Sequence, residues 1–184
     1  METRDLVRIA LFAAVIAALG LLPKFDVPLA GGVPITAQTL GVMLAGIVLG
    51  PRNGALAVLL FLFVVALGAP FLAGGRGGLG VFFAPAAGFA IGFVPGAYVT
   101  GYAMSRLSDL PVSLAAIISS ILGGILVIYA FGIPVLAWRA NMELVQAATA
   151  SLLFVPGDII KVIGAGFIAE ALLRFSPQAI AGRE

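Results

Sequence analysis

Apolar residues run along this chain in long blocks. They show neither the strict alternation of a half-buried strand nor the narrow stripe of a surface helix. The first block is Leu6 to Leu22, which stops at Pro23-Lys24. A polar, proline-bearing stretch leads to Thr39, and Leu40 to Leu49 and Ala55 to Leu67 follow, divided by GPRNG at Gly50 to Gly54. Gly74 to Gly80 reads GGRGGLG, a flexible loop by composition. Val81 to Met104, carrying Pro85 and Pro95, is a fourth block, and Val112 to Phe131 is a fifth, trailed by an interfacial segment around Trp138. The last runs from Val145 to Phe175 with a break at Pro156-Gly157. A membrane-crossing helix takes ~20 residues. The second and third blocks are short by that measure, and both span only if Pro34 to Thr39 and Gly68 to Pro70 extend them. Unsatisfied backbone is costly in lipid, so the proline and glycine breaks are expected to face protein or a cavity. Barrel strands are not expected, because lipid-facing alternation is missing.

Composition turns this pattern into a fold class. Of 184 residues, 62% are hydrophobic and only 10% charged, against about 45–50% and about 25% in a soluble domain. The expectation is an all-α integral membrane protein of six transmembrane helices, with residues 1–184 as one unit and no room for a soluble catalytic domain. Arg4 and Arg8 ahead of an apolar run resemble a secretory leader, but further apolar blocks follow, so a first span is expected. Basic residues set the orientation. With the N-terminus inside, Arg4, Arg8, Arg52, Arg106, Arg174 and Arg183 are cytoplasmic and Lys24, Arg76 and Arg139 lie outside. Both termini are then cytoplasmic, and the glycine-rich and polar connections gather on the outer face as caps over a ligand cavity.

Several chemistries are excluded. Cysteine and histidine are absent, which removes disulfides, Cys/His zinc sites, haem and iron–sulfur ligation, and histidine-activated nucleophiles. Neither Lys24 nor Lys161 completes a P-loop, so the chain carries no nucleotide-hydrolysing motif. An aspartyl dyad needs two carboxylates, and Asp158 has no second intramembrane aspartate beside it. Scattered arginines do not make a nucleic-acid face.

Candidate chemistry concentrates at Asp158 and Lys161 in VPGDIIKV, three residues apart and hence on one helix face. Charges within a span are expensive and usually functional. The pair reads as a polar ligand site, or else as a self-neutralising structural ion pair. A second candidate is GGVPITAQT, where Thr36, Gln38 and Thr39 offer hydroxyl and amide groups, with Thr36 equally suited to cap a helix. Arg76 in the glycine loop can meet a carboxylate. Ala10, Ala14 and Ala18 recur every fourth residue on the first span, as do Gly88, Gly92 and Gly96 on the fourth. Such ridges permit close helix packing: within the monomer for the glycines, and either internally or against another membrane protein for the alanines. Phe82, Phe83, Phe89, Phe93 and Tyr98 read as packing or lipid contact, and Trp138 as an interfacial anchor.

Three stretches together resemble one family. They are VPITAQTLGVMLAGIVLGPRNGALA (Val33 to Ala57), LGAPFLAGGRGGLGVFFAPAAGFAIGF (Leu67 to Phe93) and FVPGDIIKV (Phe154 to Val162). The chain resembles BioY, the biotin-binding substrate (S) component of energy-coupling-factor transporters. It departs at Ala86-Ala87, where a Thr-Gly pair is expected. The resemblance implies a multi-pass protein of the bacterial plasma membrane that captures biotin outside. It also implies delivery inward with a transmembrane coupling protein and two ATPases, although some members are thought to act alone. Neither a cofactor nor a metal is implied, and the role is not enzymatic. Biotin's ureido ring, apolar thioether ring and carboxylate tail suit Asp158, Lys161, Gln38, Thr36 and Arg76, with the end that meets Lys161 left open. The Ala10/Ala14/Ala18 ridge is the expected partner surface. The rivals are an S component for another vitamin, a self-sufficient transporter using Asp158 as an ion carrier, and a small membrane enzyme or structural subunit with Asp158 as a lone acid.

Overall fold

The computed structural model describes residues 2–27, 33–175 and 180. Gly31 and Gly32 of the outer polar segment, and Arg183 of the charge count, lie outside the described residues. Helix α1 spans Thr3–Gly20 and opens with a capping box between Glu2 and Asp5. It buries Ile9, Ala13 and Ile16 and leaves Ala10, Ala14 and Ala18 exposed on the opposite side. The chain is not wholly helical. A short antiparallel hairpin, β1 (Phe25–Val27) with β2 (Val33–Ile35), lies inside the polar stretch where no strand was expected. Its length explains why periodicity missed it: three residues per arm are too few to show alternation.

Helix α2, Gln38–Ala66, accounts for the two short apolar blocks. It is interrupted at Gly50 (φ 76°, ψ −179°), a left-handed backbone that glycine adopts without steric cost. Pro51 then starts the second arm, where its missing N–H loses nothing. The arms fold back on each other: a Cβ on Gly54 would sit 2.8 Å from the Ala45 carbonyl oxygen, far closer than nine residues of straight helix allow. Beyond α2, the GGRGGLG segment is a defined turn rather than a flexible loop. Leu72 and Arg76 exchange backbone hydrogen bonds of 2.9 and 3.1 Å, and the Gly78 N–H donates to the Val65 carbonyl at 2.8 Å.

Helix α3 is Ala87–Arg106. The expected start at Val81 is corrected, because Leu79–Phe83 forms a 3-10 turn and Pro85 lies before the helix; only Pro95 is inside it. Helix α4 runs continuously over Val112–Arg139, with a π-helical stretch at Ile121–Val127. The separate segment expected around Trp138 is the end of α4, closed by a left-handed Asn141 (φ 51°) and a Met142 N–H bond to the Ala137 carbonyl at 2.9 Å. Helix α5 (Leu144–Ser151) leads through a 3-10 turn at Leu152–Phe154 into α6, Val155–Phe175. The break therefore falls just before Pro156, which occupies the first turn of α6 and disturbs no hydrogen bond.

Small residues set the packing. A Cβ on Gly88 would meet the Phe131 carbonyl oxygen at 2.5 Å, and one on Gly96 the Gly123 carbonyl oxygen at 2.9 Å. The glycine ridge thus packs α3 onto α4 within the monomer. Buried side chains form two clusters. One is built around Ile16, Phe61, Phe89, Phe93, Leu136 and Phe154, the other around Met43, Ile47, Met104, Ala115 and Ala165. The segments Val112–Arg139 and Leu144–Phe175 are apolar and long enough to cross a membrane; Gln38–Ala66 reaches that length only as a whole, and it is interrupted at Gly50.

Candidate functional site

The first turn of α6 carries Asp158, where helix N–H groups and the positive end of the macrodipole favour a carboxylate. One turn on, the Lys161 ammonium donates to Asp158 Oδ1 at 2.6 Å. Both side chains are largely out of solvent, at 8% and 14% exposure for the acid and the base. A buried pair of this kind is held only when its remaining hydrogen-bonding capacity is met. Two other helices meet it. Tyr129 of α4 donates its hydroxyl to Asp158 Oδ2 at 2.5 Å, and Lys161 donates to Thr39 Oγ1 of α2 at 2.8 Å. The result is a chain Thr39–Lys161–Asp158–Tyr129 drawn from three helices.

That chain lines a cavity that opens at one side, mostly apolar with a few polar groups, the usual form of a small-molecule site. Its apolar wall includes Phe89, Ala90, Phe93, Ile128 and Phe154. The Phe89 ring stands edge-on to both Tyr129 and Phe154, with centroids 5.9 Å apart in each case, a favourable aromatic geometry. The π-helical stretch of α4 brings Gly124, Ile128 and Tyr129 onto the cavity side.

Thr36, Gln38 and Arg76 also line this cavity, so all five expected ligand residues converge there. Their engagements differ. The Gln38 amide is bound to backbone: its Nε2 donates to the Phe71 carbonyl at 2.9 Å and to the Ile16 carbonyl at 3.4 Å, and its Oε1 accepts from the Ala73 N–H at 3.1 Å. Gln38 ties the end of α1 and the glycine turn to the start of α2. Thr36 Oγ1 accepts from the Gln38 N–H at 3.3 Å, a local turn bond ahead of the Ala37 N-cap and not a helix cap. Arg76 is half-buried; its Nε donates to the Ala73 carbonyl at 3.1 Å, and no carboxylate among the described residues pairs with it.

Sequence reasoning missed Tyr129. A tyrosine deep in an apolar run needs a partner for its hydroxyl, and that was the available signal. Phe89 and Phe93, expected as packing or lipid contact, do pack in the core, and they line the cavity as well. Among the described residues, no cluster of acidic side chains is placed to hold a metal ion.

Comparison with known proteins extends this geometry. The sequence profile described as the BioY family matches residues 1–178. A biotin transporter BioY of Rhizobium etli is 50% identical over 178 residues, covering 94% of this chain and 95% of its own. One of Rhodobacter capsulatus is 50% identical over 189 residues, covering 98% of each chain. A solved structure described as the S-component for biotin from an ECF-type ABC transporter aligns with a TM-score of 0.85 and 30% identity over 95% of both chains. The chain belongs to the BioY family.

Proposed function

We propose that this chain binds biotin in the cavity beside Asp158 and serves its uptake across the membrane as a transport component, not an enzyme. The observation that carries this is the unused hydrogen-bonding capacity of the Thr39–Lys161–Asp158–Tyr129 chain. Each Asp158 oxygen keeps a lone pair after its one bond, and the Tyr129 oxygen can still accept. Lys161 retains a third N–H, and Thr39 retains its hydroxyl proton. Acceptors thus lie on the Asp158 side and donors on the Lys161 side. A ureido group, with two N–H donors flanking one carbonyl, is complementary to that order. In this orientation the thioether ring lies against Phe89, Phe93 and Phe154, and the carboxylate points to Arg76. Gln38 and Thr36 then shape the mouth, and Gln38 acts chiefly by positioning.

The same proposal has the chain cross the bacterial plasma membrane six times: α1, the two arms of α2, α3, α4, and α5 with α6. Both termini are cytoplasmic and the hairpin and glycine turn are outside. Delivery inward uses a transmembrane coupling protein and two ATPases, with the exposed Ala10/Ala14/Ala18 ridge as the docking surface. A self-sufficient ion carrier is disfavoured, because Asp158 is already neutralised by Lys161.

Calorimetric titration of the purified protein with biotin tests the site. Asp158→Asn and Lys161→Ala are each expected to weaken binding by about 1.5–3 kcal/mol, the loss when a hydrogen bond to a charged group is removed. Unchanged affinity in both variants overturns the assignment. Biotin methyl ester separates the two ends: it should bind more weakly to the native protein, and Arg76→Gln should erase that difference. Preferential binding of a different vitamin would move the chain to another S-component class.

A further inference from the structure

A second concavity lies on the outside of the bundle, and its chemistry is unlike that of the vitamin site. It is a groove whose floor is the second arm of α2, with Leu56, Leu59, Leu60 and Phe63 exposed along it. Leu6 of α1 forms one wall, and Ile91 and Pro95 of α3 form the other. Every residue lining it is apolar, so no polar ligand would be held along its length.

One end is cationic. Arg52 lies one helical turn before Leu56, on the same face as Leu56 and Leu60. The end of α3 comes to the same place, because a Cβ on Gly101 would sit 2.5 Å from the nitrogen of Pro51. The next residue, Tyr102, is exposed, and the Arg106 guanidinium lies 5.0 Å from the centre of its ring. Arg52 and Arg106 are exposed and form no ion pair among the described residues. The nearest carboxylate along the chain, Asp109, accepts from the Ser108 hydroxyl at 3.4 Å. From Arg52 to Phe63 the arm rises ~16 Å, about half the ~30 Å hydrocarbon core.

We infer that this groove is a binding site for an anionic phospholipid. Its headgroup phosphate lies between Arg52 and Arg106 with the Tyr102 hydroxyl, and an acyl chain lies along Leu56 to Phe63. Positive charge at one end and one leaflet's length of bare apolar floor match the two parts of such a lipid. Basic pockets between membrane helices recognise acidic headgroups in this way. The inference rests on the chain being embedded in a bilayer and not on the identity of the vitamin.

The test is native mass spectrometry of the purified full chain with phosphatidylglycerol and phosphatidylcholine of identical acyl chains. A thermal melt of each variant reports that it is folded. The native protein should retain phosphatidylglycerol preferentially. R52Q and R106Q should each lower that retention roughly fivefold, the loss of one basic contact near a membrane surface. Leu59→Trp should reduce retention of both lipids by filling the floor. Equal retention of the two lipids by the native protein overturns the inference, as does an unchanged preference in the R52Q/R106Q double variant. Unaltered lipid binding by Leu59→Trp together with loss of a co-purifying membrane protein also overturns it and assigns the groove to a protein partner.

Discussion

A phenol hydroxyl on one helix and an ammonium on another share the two oxygens of Asp158, and this division of labour sets what each residue contributes. Removing the Tyr129 hydroxyl deletes a donor to a charged acceptor but leaves the ring against Phe89. Tyr129→Phe is therefore expected to fold normally and to bind biotin about tenfold more weakly, the effect of ~1.4 kcal/mol on a hydrogen bond to a charged group. Calorimetry beside a thermal melt separates the two readouts. Asp158 and Lys161 were legible because two opposite charges in an apolar run have few explanations, and their spacing put them on one face. Tyr129 was not, since its role depends on the rotation of α4 relative to α6, and no single run of sequence encodes that. Gln38 was legible as a polar residue near the site. Its three bonds to backbone in distant segments were not, because partners 22 to 35 residues away cannot be paired by local pattern.

At the scale of elements, glycine decides how closely helices approach. Gly88 faces the Phe131 carbonyl and the Val135 side chain, each 2.5 Å from where a Cβ would be. The backbone carbonyl cannot yield by rotamer change, so Gly88→Leu should separate α3 from α4 and cost about 1–3 kcal/mol or more, as overpacking does. A lowered thermal midpoint in detergent measures it. Gly164, with nothing within 4 Å of a Cβ, is the control, and Gly164→Ala should not lower the midpoint but raise it slightly through helix propensity. The every-fourth-residue spacing on α3 was readable in the sequence, and its internal use followed from that. The fold-back in α2 was half readable: GPRNG marked a break, but two short apolar runs could not say whether the chain stopped, re-entered or reversed. Contact between Gly54 and Ala45 answers that, and it is a tertiary fact. The hairpin before α2 and the ordered glycine turn escaped for the same reason, being held by backbone bonds rather than by side-chain periodicity.

For the whole molecule, the exposed and buried faces of α1 separate two tasks. Ala13 and Ile16 hold α1 to the bundle, whereas Ala14 points away. If the ridge is the docking surface proposed above, Ala14→Trp should leave biotin affinity unchanged and abolish co-purification with the proposed coupling protein. Loss of biotin binding in that variant would instead make the ridge part of the fold. The cavity itself draws on α2, α3, α4 and α6 together with the glycine turn, so the relation between these helices is part of the site. The wide turn at Ile121–Val127 acts as a phase shifter in that relation, equivalent to one extra residue let into α4. Were the same residues wound evenly at 3.6 per turn, one half of the helix would turn by about 100° against the other. Either Gly123 then loses its seat on α3 or Tyr129 swings off the carboxylate. The tightening of a single turn, far along the chain from either ion, would leave the vessel whole and spoil its grip.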